Sequence, residues 1–313
     1  MRNPFLVSLR PLVSALPADF RLVVADIGSI GGLHRRWADL ADRLMTINFD
    51  PLDPRESSET ARYYPFLIGD RDGTATLKIT RRETMSSTLQ PDRNFFAPFW
   101  DKPSHTEVVR EIGAPMTRLD DLFAAEKLNP DAIKIDVQGG EAAVLAGATE
   151  TLRTSVLLAE IECSFAPRYE GQETFDQIVA TMRELGFALL DVRRLKRYRY
   201  RNDAGVRDPS LGRGMRAGRL AFCDAIFVLE PELLWQRIER GGEANGPHAA
   251  LKAMLLLLTY GKPDLAAATF ERGAYAMPPA MRDACALFFS RLKNDGGWRQ
   301  RLHHRVDLWA RRV

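Results

Sequence analysis

A chain of 313 residues, 45% hydrophobic and 27% charged, has an ordinary globular balance and supports a sizeable core. Its formal net charge of +3 excludes a polyanion-binding surface spread over the whole chain, so any basic patch has to be local. Three cysteines, Cys163, Cys223 and Cys285, lie far apart without ligand spacing; this excludes a disulfide framework and a thiolate metal site, and fits reduced thiols in a cytoplasmic protein.

Residues 1–19 form a short leading segment whose apolar stretch is interrupted by Arg10 and Pro11, unlike a signal peptide. From residue 20 to 230, β-type runs alternate with helical stretches, the pattern of an α/β domain with a doubly wound parallel sheet. Seven strands are expected at 21–28, 44–50, 63–70, 132–137, 156–162, 187–192 and 220–230, the last inserted antiparallel. Between the third and fourth lies an insertion that opens with an expected hairpin, Asp72-Gly73 joining the run at 63–69 to TATLKIT. A Ser/Thr-rich MSST and an aromatic NFFAPFW follow. Val144, Leu145, Ala148 and Leu152 share one helical face, and the helix in TFDQIVATMRELG ends on Gly186.

Between the last two strands runs a stretch rich in arginine, from Arg193, Arg194, Lys196, Arg197, Arg199 and Arg201 on through Arg207, Arg213, Arg216 and Arg219. Tyr198 and Tyr200 interleave with it, and Gly205, Gly212, Gly214 and Gly218 give it a loop-like character. Two readings stay open: a flap that recognises an anionic or glycan substrate, and a solvated loop. No RNA-binding motif accompanies it, which argues against nucleic acid. From 231 to 313 the β signal ends and five short amphipathic helices are expected, an all-helical extension able to form an interface between copies, a lid or a packed appendage. The longest apolar run, Met254 to Leu258, is too short to span a membrane.

The segment VVADIGSIGG ends a strand on Asp26 and turns through Gly28, Gly31 and Gly32, where the absence of Cβ lets backbone approach a bound cofactor. An acid here disfavours a pyrophosphate and suits the ammonium and hydroxyl groups of an amino-acid-bearing nucleoside. Asp50 ends the next strand, the position at which nucleotide-binding folds hold ribose hydroxyls; it can equally serve as a turn residue before Pro51. Asp70 can meet an adenine amino group or belong to the Asp72-Gly73 turn. In AIKIDVQGGEAAVLAGA, Asp136 ends a strand where open α/β sheets place their ligands, with Glu141 in the first turn of the following helix and Lys134 a partner for a nearby acid.

DIGSIGG, NFDP, GDRDGTATL, LDDL, KIDVQGGEAAVLAGA and LLAEIE resemble, in this order, the FkbM-type methyltransferases, from about Val23 to Ile161, with DAIFVL resembling the family's last strand. KIDVQGGE is the most specific piece, and the loop departs from the family's usual pattern at Ile30 and Gly31. The resemblance implies a class I methyltransferase (Rossmann-like) fold and S-adenosylmethionine as cofactor, held at Asp26, Gly28, Gly32 and Asp50. It implies O-methylation of a hydroxyl on a sugar, glycolipid or secondary metabolite, with Asp136 at the active site.

For a hydroxyl acceptor a proton-accepting group is needed; Asp136 comes first, followed by Glu160 and Glu162, one of which can instead pair with Arg168. His34 fits a structural position better than a catalytic one, and His303-His304 fits a solvated basic helix. No His/Asp/Glu set has metal spacing. Two other readings are an NAD-dependent oxidoreductase, weakened by the lack of a full GxGxxG, and a non-catalytic scaffold with a degenerate loop.

Overall fold

The computed structural model describes residues 8–206, 217–239 and 248–293. Two compact units divide the chain: Leu22–Leu33 with Leu44–Glu239, and the described parts of 1–21, 34–43 and 240–313.

The larger unit is built on a seven-stranded sheet. Its strands are β1 (Leu22–Ile27), β2 (Leu44–Phe49), β3 (Ala61–Tyr64), β7 (Ala132–Ile135), β8 (Leu158–Ser164), β9 (Phe187–Tyr198) and β10 (Arg219–Leu229). Their order is β3-β2-β1-β7-β8-β10-β9, with β10 antiparallel to both its neighbours, as the sequence pattern predicts. Near-continuous apolar, β-branched runs suit strands covered on both faces, and every residue of β8 is buried. The reversal of order on the two sides of β1 and β7 opens a crevice at their carboxyl ends. Register aligns Asn48, Asp26, Lys134 and Glu160 across β2, β1, β7 and β8, so a row of polar groups crosses the middle of the sheet.

A second sheet corrects two expectations. The run at 63–70 is not one strand: Pro65, which has no N–H to donate, ends β3 at Tyr64. Beyond it, β4 (Leu67–Ile68) joins β5 (Gly73–Thr80) and β6 (Val108–Thr117) in the order β4-β6-β5. Asp72-Gly73 therefore does not close a two-stranded hairpin, because β6 lies between the two runs it connects. The polar, Gly- and Pro-containing sequence of β6, VVREIGAPMT, conceals this strand from its pattern.

The helical run after Gly140 is also divided, into Glu141–Ala146 and Thr149–Thr154. At the break a Cβ on Gly147 would lie 2.0 Å from the Gly69 carbonyl oxygen, so only glycine permits this approach. Asp120, from LDDL, caps the second helix by accepting from the backbone N–H groups of Glu150 (3.1 Å) and Thr151 (2.8 Å). Helix Phe175–Glu184 carries a Thr174/Gln177 capping box and stops before Gly186 at φ +89°. Helix Pro231–Glu239 belongs to this unit, and Arg237 donates to the carbonyls of Val156 (2.9 Å) and Arg153 (2.7 Å).

The arginine-rich stretch is largely strand at its ends. Arg193 to Tyr198 lie on β9 and Arg219 opens β10, so these residues are not loop; Arg207, Asp208, Gly212, Arg213, Gly214 and Arg216 lie outside the described residues.

In the smaller unit, helix Ala249–Thr259 is buried at every position, which corrects the amphipathic expectation for this segment. Around it stand helix Pro263–Gly273 and a helix over 279–293. The 3₁₀ segment Arg35–Arg43 contributes buried Trp37 and Leu40. Trp37 meets Tyr260 edge-on at 5.9 Å, and the Arg36 guanidinium lies 4.7 Å over the same ring. His34 Nδ1 accepts from the Arg36 backbone N–H at 3.1 Å, a structural arrangement. The segment 298–313 with His303-His304 lies outside the described residues. Among the described residues no helix is long and apolar enough to cross a membrane.

Candidate active site

At the carboxyl end of β1 the chain turns at Gly28, φ +81°. A Cβ there would come within 2.0 Å of the Asp136 carbonyl oxygen, because the ends of β1 and β7 converge. The Gly28 N–H donates to Phe49 O at 2.9 Å, so its first duty is to join β1 to β2. Asp50, just past β2, accepts from the N–H of Leu52 at 2.9 Å and from that of Ile30. Burial raises its pKa, and these two amides oppose the rise. Three residues on, Asp53 accepts from Ser29 Oγ (3.2 Å) and pairs with Arg55, which donates to Ser29 O (3.0 Å) and lies 4.6 Å over the Tyr63 ring. This clamp holds the glycine loop from the β2 side.

At the other end of the crevice four acids and three cations converge. Gln138, at φ +58°, donates its side-chain amide to Asp136 Oδ1 (2.8 Å) and Glu162 Oε1 (2.9 Å), joining the ends of β7 and β8. A non-glycine residue in this conformation costs about 1 kcal/mol, a strain retained where the surroundings fix it. Glu141, buried, holds the QGG turn by accepting from the N–H groups of Val137 (3.2 Å) and Gly139 (3.0 Å). Arg168, fully buried, donates to Glu162 Oε1 at 2.7 Å and to Tyr198 Oη at 3.2 Å. Burial, then Asp136, push the Glu162 carboxyl up to about 8 while Arg168 opposes them.

Arg194 completes the group. Between β9 and β10 the register slips from Arg193↔Asp224 to Lys196↔Phe222, so two residues of β9 face one of β10. Arg194 occupies this bulge at φ +47°. Its Nη2 reaches Asp224 (2.9 Å), Glu162 (3.1 Å) and Asp136 Oδ2 (3.7 Å). Lys134 Nζ stands 4.0 Å from the same Asp136 oxygen.

A cavity of about 710 Å³ connects the two ends. Gly28, Asp50, Asp136 and Glu162 line it, so four of the sequence-nominated residues come together. The others lie elsewhere. Asp26 is fully buried in the sheet, Oδ1 paired with Lys134 at 3.1 Å and Oδ2 without a hydrogen-bond partner among the described residues. Burial raises the Asp26 pKa and Lys134 opposes it. Glu160 is buried in the same row, in register with Lys134. Gly32 turns away, its N–H on Ser29 O at 2.9 Å, and Asp70 is exposed and paired with Arg71 at 3.3 Å. Neither Gly32 nor Asp70 is part of the cavity wall.

Residues 36–189 match the model of the methyltransferase FkbM domain. The chain carries an FkbM methyltransferase domain. Among solved structures, a methyltransferase FkbM from Methylobacillus flagellatus is 12% identical with a TM-score of 0.32, covering 67% of this chain and 44% of its own. This chain thus spans less than half of that protein. A protein from Listeria monocytogenes assigned as an S-adenosylmethionine-dependent methyltransferase is 9% identical with a TM-score of 0.34, covering 71% of this chain and 98% of its own. No curated protein matches.

The FkbM match takes in Asp50, Asp70, Asp136, Glu160 and Glu162 and leaves out the glycine loop and Arg194. Sequence reasoning missed Gln138, Asp224 and the Asp53–Arg55 clamp as parts of the site, and named Arg194 only as one member of the arginine-rich stretch. Gln138 alone carried a local signal, standing between Asp136 and the Gly139-Gly140 pair.

Proposed function

We propose that the chain is an S-adenosylmethionine-dependent O-methyltransferase acting on a hydroxyl of a sugar, glycolipid or secondary metabolite. The observation that carries this reading is Asp136, a carboxylate on the wall of a cavity whose other end presents Gly28 and Asp50. The residues present fit the cofactor. Asp50 keeps acceptor capacity beyond its two amide bonds, as a ribose diol requires, and Gly28 offers no side chain to obstruct it. Asp26, fully buried behind this wall and paired with Lys134, supports the site from within the sheet.

When bound, S-adenosylmethionine supplies a methyl group already activated by its sulfonium. The protein's part is alignment and control of the acceptor's proton. Asp136 accepts that proton at a carboxylate oxygen, with Gln138 fixing Oδ1 and Arg194 and Lys134 facing Oδ2. Glu162 is held by Arg168, Arg194 and Gln138 and serves as a positioning residue. Asp26 and Glu160, flanking Lys134, set the field behind Asp136.

Calorimetry on the full chain tests this reading. S-adenosylhomocysteine is expected to bind and NADH not to. Binding of NADH with no response to S-adenosylhomocysteine would overturn the proposal in favour of an oxidoreductase; binding of neither would favour a scaffold.

A further inference from the structure

Methyl transfer as proposed uses the floor of the cavity and leaves its outer wall unexplained. That wall is formed by Arg82, Trp100 and Lys102 of the insertion and by Lys196, Arg197 and Arg199 at the end of β9. The support beneath is firm. The Trp100 N–H donates to Arg199 O at 2.8 Å, the Arg201 N–H to Pro98 O at 2.8 Å, and Phe99 bridges Tyr200. Below this clasp the rings of Phe95, Phe96, Phe99 and Tyr198 interlock, with Tyr198 held by Arg168. The basic side chains therefore stand on a packed base that pre-organises them.

The charge balance of this wall is one-sided. Among the described residues, Glu83 and Asp101 stand against its five cations, and Asp101 is already paired with Lys102 at 3.2 Å. On the floor, by contrast, Arg168 and Arg194 are matched by Asp136 and Glu162. Like charges gathered around one concavity repel one another and are relieved by an anion. Arginine and lysine together supply the forked and point-charge donors that phosphate, sulfate and carboxylate accept.

We infer that the outer wall binds an anionic group carried by the methyl acceptor, so that the substrate is a hydroxyl compound bearing a phosphate, sulfate or carboxylate. That the bound compound is the methyl acceptor rests on the methyltransferase reading, and that it carries a negative charge rests on the wall alone. Lys196 and Arg199 are the specificity-determining residues; both are exposed, so their replacement leaves the core intact.

The test uses the full chain saturated with S-adenosylhomocysteine and three probes of one size class: glucose 1-phosphate, glucuronate and glucose. Calorimetry is expected to show at least one of the two anions binding about tenfold or more tightly than glucose, a preference that shrinks as salt is raised. Lys196→Gln and Arg199→Gln are each expected to cut that preference about fivefold while leaving S-adenosylhomocysteine affinity unchanged. Phosphate ahead of carboxylate, or the reverse, identifies the group. Equal binding of all three probes, or a preference untouched by both substitutions, would refute the inference. Failure to bind S-adenosylhomocysteine with the anion preference intact would refute the cofactor reading and leave the wall's assignment standing.

Discussion

The two ends of the cavity are made in different ways. The end at Gly28 and Asp50 is assembled from two neighbouring strands, and backbone geometry defines it: a glycine under a carbonyl and a carboxylate on two amides. The end at Asp136 and Glu162 is assembled from β7, β8, β9 and β10, and side-chain charge defines it. The first fails when a shape is altered. The second fails when a charge is left unanswered, and its parts move together because Gln138 and Arg194 each touch more than one acid.

The largest expected effect breaks the comparison at the point where the two ends meet. Gly28→Ala introduces an atom on the Asp136 carbonyl at a positive φ, and a loss of about 3–5 kcal/mol of stability is expected from overlap plus strain. A denaturant midpoint within experimental error of wild type would show that the loop relaxes freely. Asp136→Asn comes next: turnover on a competent acceptor is expected to fall about 100-fold, or about 3 kcal/mol, with S-adenosylhomocysteine affinity retained. Undiminished turnover removes Asp136 as the proton acceptor.

Asp224 isolates the charge logic of the second end. Burial raises its pKa to about 6, with Arg194 opposing. A carboxyl raised above its unfolded value contributes stability below about pH 4 that is lost as pH rises through about 6. Urea titrations of wild type and Asp224→Asn are therefore expected to show wild type losing about 2 kcal/mol relative to the variant between pH 4 and 7. A difference independent of pH contradicts this. The smallest effect belongs to the first end: Asp50→Ala is expected to weaken S-adenosylhomocysteine about tenfold, roughly 1.4 kcal/mol, with turnover at saturating cofactor near wild type. A fall in turnover instead of affinity would place Asp50 with the reacting groups.

Local chemistry made much of this legible. Acids that close apolar strands, Asp50 and Asp136, stand out in sequence because little else in such runs is charged, and both reach the cavity. Asp26 and Glu160 carry the same signal, yet they face Lys134 across the sheet, a relation that only strand register defines. Gly28 reads as a cofactor glycine, whereas its closest constraint is Asp136, more than a hundred positions along the chain. Arg194 looks like any other member of a basic run until a one-residue bulge singles it out. Strand β6 escaped because Gly113 and Pro115 weaken its pattern and its pairing is with distant β5.

The smaller unit has a bearing on how the chain is made. Trp37 and Arg36 emerge early in synthesis, and the Tyr260 ring they pack on emerges near the end. At a ribosomal pace of about 5–20 residues per second, the segment 34–43 waits on the order of ten seconds or more for helix Ala249–Thr259. During that interval Trp37, buried in the folded chain, lacks the Tyr260 ring it meets there. Nascent chains halted before residue 249 are therefore expected to present Trp37 without the Tyr260 ring to a chaperone that binds hydrophobic surface.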